Sequence, residues 1–112
     1  MSLRLDHVII SVQDLEASIA HYKQLGFNAF YGGKHGDGLT HNGLVVFADG
    51  SYLELIALVD PSKRDAASFK QLIREEEGYT GFALLSSAIE ADMQAMQQQG
   101  IQTNAVRSGS RE

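Results

Sequence analysis

One pattern occurs twice in this chain, and it limits the possible folds more than any other feature. Residues 6–27 read DHVIISVQDLEASIAHYKQLGF, and residues 81–101 read GFALLSSAIEADMQAMQQQGI. Each is an apolar run, then a helix-like stretch, then a glycine and an apolar restart. Shifted by 74 residues, Glu16 falls on Glu90, Ala17 on Ala91, Gln24 on Gln98 and Gly26 on Gly100. Ile19 and Tyr22 fall on Met93 and Met96, so the apolar face of the helix is kept. Two strand–helix–strand units in one small chain predict a duplicated module that packs copy against copy. The seam between such copies is a natural place for a ligand cleft.

The local patterns fill in the elements. Leu5 to Val12 is apolar and β-branched and reads as a buried strand, with Leu5, His7, Ile9 and Ser11 on one face. Asp14 is placed to cap a helix whose core stripe is Leu15, Ile19 and Tyr22. Gly26 suits a left-handed helix end. Strands follow at about 27–31, 39–48 and 52–59, with a Gly-rich turn, GGKHGDG, at 32–38 and a hairpin signal at Asp49-Gly50. Pro61 opens a connecting helix over 61–78, with Phe69, Leu72 and Ile73 as its apolar positions. A fifth strand at about 80–86 starts the second copy, Ser87 and Glu90 read as a capping box, and Ile101 starts a sixth strand. The expected class is α+β: paired βαβββ modules with curved mixed sheets around a cleft. The first module covers 4–60 and the second begins within 79–112. Residues 27–58 follow the helix in copy one but only 101–112 in copy two, so the second module is about 20 residues short. The polar stretch Arg107–Glu112 reads as a truncation point.

Composition narrows the chemistry. The net charge is −5, and Lys63-Arg64 is the only adjacent basic pair. That argues against nucleic acid or an anionic membrane as partner. Without cysteine there is no disulfide, thiolate metal site or cysteine nucleophile, and a reducing cytoplasm fits. No Gly-x-Ser-x-Gly elbow is present, and the glycine cluster at 32–38 lacks the Gly-Lys-Ser/Thr ending of a phosphate loop.

Two residues stand out as carriers of chemistry. His7 sits mid-strand among apolar neighbours, and Glu54 does so in YLELIAL. A carboxylate there is costly to bury unless paired or coordinated. If the first and fourth strands are neighbours, the two side chains face one concavity. An imidazole with a carboxylate suits a divalent ion, and it equally suits a hydrogen-bonded pair with no metal, which spacing alone favours. His35, His41 and Asn42 could line the cleft mouth and bind a ligand oxygen, or could simply be turn and strand-edge residues. His21 lies off the apolar stripe and reads as a surface residue.

LDHVIISVQDLEASIAHYKQLGF, followed by YLELIAL about 45 residues after His7, resembles the first module of the vicinal oxygen chelate superfamily. GGKH at 32–35, THN at 40–42 and YLELI at 52–56 resemble its glyoxalase-like domain proteins. The resemblance implies a metal-assisted lyase, isomerase or dioxygenase acting on a small oxygenated substrate. His7 and Glu54 are then the first module's metal ligands and Glu54 is catalytic; the residues expected to bind the substrate, from their placement around the cleft, are His35, His41, Asn42, Tyr52 and Phe82. Phe82 stands where the second module would supply a ligand, which favours the alternative, a metal-free binding or resistance-type protein using the same cleft. A divalent ion and no cofactor at all stand side by side. Relatives assemble such sheets between chains, so the resemblance also implies a homodimer around a small-molecule ligand.

Overall fold

The structure is a computed structural model that describes residues 3–107. The end of the tail, 108–112, lies outside the described residues. In chain order the elements are β1 (Arg4–Ser11), α1 (Leu15–Gln24), β2 (Asn28–Lys34), β3 (Thr40–Val46), β4 (Tyr52–Leu58), β5 (Gly78–Leu85) and α2 (Ile89–Gln98). They form an α+β module on one open, curved sheet of order β2-β3-β4-β1-β5. β1 runs parallel to β4 and antiparallel to β5. No helix among the described residues is long and apolar enough to cross a membrane.

α1 forms where its caps and stripe demand. The Asp14 side chain accepts from the Ala17 amide at 3.0 Å, and Gly26 takes φ +97° at the far end. Leu15 and Ile19 press onto the outer face of the sheet, against Val12, Ala29, Val45, Leu55 and Ala57. Gly43 gives Ile19 its room: a Cβ there would lie 2.7 Å from the Ile19 side chain.

The register of β1 on β5 records the duplication in space. His7 pairs with Ala83, Val8 with Phe82 and Ile9 with Gly81. Under the repeat shift His7 becomes Gly81 and its partner Ala83 becomes Ile9, which is itself an observed pair. Val8–Phe82 maps onto itself. The two copies therefore meet across a local two-fold between these residues.

The segment from 61 to 77 departs from the expected connecting helix. It contains two short 3-10 turns, Pro61–Ala66 and Lys70–Leu72. Ile73 and Leu72 leave the helical path to pack on Ile9 and Ile56, on the inner face of the sheet opposite α1. Ser68 N donates to Asp37, Ser11 Oγ accepts from Arg74 N at 3.0 Å, and Gln13 N donates to Glu77. The linker is thus strapped to the sheet by tertiary contacts rather than by helical hydrogen bonds. Phe69, expected in the core, is 37% exposed, and Leu84 is 45% exposed.

Two other expectations change. α2 begins at Ala88 without a side-chain cap, and Ser86, not Ser87, organises its start. Ser86 Oγ accepts from Ala88 N and donates to the buried Asp92. Residues 101–107 make no strand. A strand exists through its ladder, and no described strand pairs with this stretch, whose bonds run back to α2 through Met96 and Gln97.

Candidate functional site

The site lies on the inner face. Parallel pairing sets Ile9 beside Glu54 and Tyr52 beside His7, so His7 and Glu54 are diagonal neighbours on one face. His7 Nε2 lies 3.3 Å from Glu54 Oε1. The Tyr52 ring stacks on His7 with centroids 4.6 Å apart and planes 12° from parallel.

Each group has a second partner that fixes its orientation. Asp6 Oδ2 lies 2.7 Å from His7 Nδ1. Glu54 Oε2 accepts from Asn42 Nδ2 at 2.9 Å and lies 3.2 Å from His35 Nε2. His35 Nδ1 lies 2.6 Å from the hydroxyl of Thr40, which is fully buried. Gly32 makes the Asn42 pose possible, because a Cβ there would fall 2.1 Å from Asn42 Oδ1. Phe69 brings its ring to 4.8 Å from that of His35, closing this end of the site with the linker.

The donor set has a chemical consequence. Ionised carboxylates only accept hydrogen bonds. Asp6 therefore requires a proton on His7 Nδ1, and Glu54 Oε2 takes one from His35 Nε2, with Thr40 donating to His35 Nδ1. What remains is His7 Nε2 facing Glu54 Oε1. In the neutral imidazole these are two lone-pair atoms, and their contact is satisfied by a bridging proton or a bridging cation. Their separation is within what two ligands of one ion span, since metal bonds to imidazole and carboxylate are about 2.0–2.2 Å long. The Asp6–His7 contact is also the outer partner that a metal-bound histidine normally keeps.

Burial pushes the Glu54 carboxyl up, but the hydrogen bonds from His35 and Asn42, helped by the attraction of the adjacent His35 and His7 imidazoles, outweigh it, and Glu54 sits below the usual glutamate value. It is the ionised partner at neutral pH.

Of the residues expected at the site, the fold gathers His7, Glu54, His35, Asn42 and Tyr52. It does not gather His41 or Phe82. His41 shares the strand face of Gly43 and Val45, which is the α1 face, and meets Tyr31 at 3.3 Å. Burial there, together with the charges of Lys34 and His35, lowers its pKa. Strand alternation excludes His41 and Asn42 from sharing a face. Phe82 is 56% exposed and pairs with Val8, one residue out of phase with His7. The repeat shift puts Gly81, not Phe82, at the position equivalent to His7, and the register confirms it. Asp6 and Thr40 were missed; both are buried polar residues next to site residues, and that was the available signal. Among the described residues, no group of three or more His, Cys, Asp or Glu side chains is placed to hold a metal ion.

A βαβββ unit paired through its first strand to the start of a second copy, with imidazole and carboxylate on the inner face, defines a module of the vicinal oxygen chelate type. The comparisons agree. Residues 5–112 match the glyoxalase-like domain, and the chain belongs to that family. A methylmalonyl-CoA epimerase from Streptomyces coelicolor, solved with 2-nitronate-propionyl-CoA, is similar at 26% identity and a TM-score of 0.65, over 96% of this chain and 80% of that one. The methylmalonyl-CoA epimerase from Mycobacterium tuberculosis aligns with a TM-score of 0.71 at 22% identity, over 95% and 71%. A hypothetical protein from Staphylococcus aureus aligns with a TM-score of 0.68 at 21% identity, and the chain spans 43% of its length. No curated protein matches the chain.

Proposed function

We propose that His7 Nε2 and Glu54 Oε1 are the two ligands this first module gives to a divalent ion, and that the protein moves a proton at a carbon next to a carbonyl in a small oxygenated substrate. The observation that carries this reading is the pair of lone-pair atoms 3.3 Å apart, each locked from behind by a further side chain. A divalent ion at that point would polarise a substrate oxygen, and Glu54, the ionised carboxylate, would take the proton from carbon and return it. Asp6 holds the His7 tautomer. His35 and Asn42 hold Glu54 ionised with Oε1 turned inward, and Tyr52 and Phe69 wall the site against water. Epimerisation, the reaction named for the Streptomyces coelicolor relative, needs such a proton removal and return, and it supports an isomerase reading over lyase or dioxygenase chemistry. Deuterium exchange at C2 of a 2-alkylmalonyl thioester in D2O with added Co2+, read above the protein-free rate, tests it. Exchange that disappears in Glu54→Gln is expected; no exchange with either protein, or equal exchange with both, overturns it.

A second reading is favoured by Gly81. The position equivalent to His7 has no side chain, so the second module offers no ligand there. In that reading His7 and Glu54 share a proton, and the face binds a small molecule without a metal. Metal content of the purified protein separates the two.

The reading also makes the protein a homodimer, because the outer edge of β5 has no strand partner among the described residues. Sedimentation at micromolar concentration should give twice the 12.2 kDa chain mass, and a clean monomer would remove the dimer.

A further inference from the structure

A shallow, open cavity of about 650 Å³ lies on the surface between the linker and the start of β5, and neither His7 nor Glu54 lines it. Arg64, Lys70 and Arg74 line it, three of the chain's nine Lys and Arg. Glu75 and Glu76 also line it, yet none of the three cations has a carboxylate within 4 Å among the described residues. Arg64 gives one N–H to the Ile73 carbonyl at 2.8 Å, and Arg74 gives one to the Tyr79 carbonyl at 3.1 Å. Each guanidinium has five N–H donors, so both keep donors in a fixed orientation. Thr80 lies in the same wall as the bulge residue of β5, and its buried hydroxyl has no hydrogen-bond partner. In a chain of net charge −5, three cations without a direct carboxylate partner gather in one wall and outnumber its two carboxylates, Glu75 and Glu76, which leaves the wall net positive.

We propose that this cavity is an oxyanion subsite for a phosphate or carboxylate carried by the ligand of the His7–Glu54 site. The wall between the two is shared. Ile73 lines the cavity and packs on Ile9 and Ile56, each two residues along its strand from His7 and Glu54. Two strand residues span roughly 7 Å, so the ligand is elongated, with its anionic group beyond that distance from the reacting oxygens. Arg pairs are suited to such planar or tetrahedral oxyanions. The assignment of the anion to that ligand rests on the proposed function; the anion site itself does not.

The test is titration of the full chain with pyrophosphate and, separately, with succinate at low salt, followed by amide NMR. Either probe should shift Arg64, Arg74 and Thr80, and which one does so distinguishes phosphate from carboxylate. Lys70→Gln, which leaves the two Arg–carbonyl bonds intact, should weaken binding several-fold, and Arg64→Gln with Arg74→Gln should weaken it by about tenfold or more. Lys23→Gln on α1 should change it less than about twofold. His7→Ala should leave it unchanged, so loss of the proposed function would not mimic loss of this site. If neither probe binds, or if Lys70→Gln and Lys23→Gln bind alike, the subsite is overturned.

Discussion

Asn42 and Glu54 sit on adjacent strands with the Asn42 amide donating to Glu54 Oε2 at 2.9 Å, and that bond exists because Gly32 has no side chain. The amide orientation is fixed by chemistry: a carboxylate needs a donor, so Nδ2 faces Glu54 and Oδ1 faces Gly32. Gly32→Ala should therefore push Asn42 off Glu54. Its expected effect is a rise in the Glu54 pKa, read from the side-chain carboxyl carbon by NMR. Asn42→Ala should raise it in the same direction. An unchanged Glu54 titration in both variants would mean that Asn42 does not position the carboxylate.

The lowered pKa of Glu54 has a stability consequence whose sign is fixed. The folded state binds this proton less well than the unfolded state, so the contribution is present above the unfolded value, about 4.3, and is lost as pH falls through the folded value. Exposed Asp37, Asp49 and Asp60 also titrate low, held down by hydrogen bonds from neighbouring Ser and Leu residues, so the wild type alone does not isolate Glu54. The difference between wild type and Glu54→Gln does. From pH 7 to about pH 5 the difference in urea midpoints also carries the titration of His7 and His35, which touch Glu54, so the test is read below pH 5, where the difference should shrink. A difference that keeps growing below about pH 4 would reverse the assignment.

Much of this arrangement was readable from the sequence. Asp14, Gly26 and the Leu15–Ile19 stripe mark α1 locally, and strand alternation puts His7 and Glu54 on one face. What was not readable depends on partners distant in sequence. The linker takes its path from Ile73 and Leu72 docking on Ile9 and Ile56, which no local period encodes. His35 enters the site because β2 extends through Gly32 and Gly33 to Lys34, with a bulge between Tyr31 and Gly33, so the GGKH stretch is strand more than turn. His41 was excludable in advance, since it alternates with Asn42. Phe82 was misplaced by one residue; the 74-residue shift itself points to Gly81.

The core offers a coupled pair. Ile19→Ala should cost about 2–5 kcal/mol, as other buried aliphatics do. Gly43→Ala inserts a methyl against Ile19 and should cost about 1–3 kcal/mol. The double variant should be less destabilised than the two costs added, because the methyl enters the space that Ile19 vacates. Strict additivity in chemical denaturation would show that α1 shifts to accommodate the methyl.

The central claim is that His7 Nε2 and Glu54 Oε1 face one another as ligands of one cation. Titrating the protein with Mn2+ while following paramagnetic broadening by NMR tests it most directly, because broadening maps the ion without requiring turnover. The account predicts broadening that starts at His7, Tyr52 and Glu54 at substoichiometric Mn2+ and disappears in His7→Ala. Broadening confined to exposed carboxylates such as Glu75–Glu77, or unaltered by His7→Ala, would contradict it.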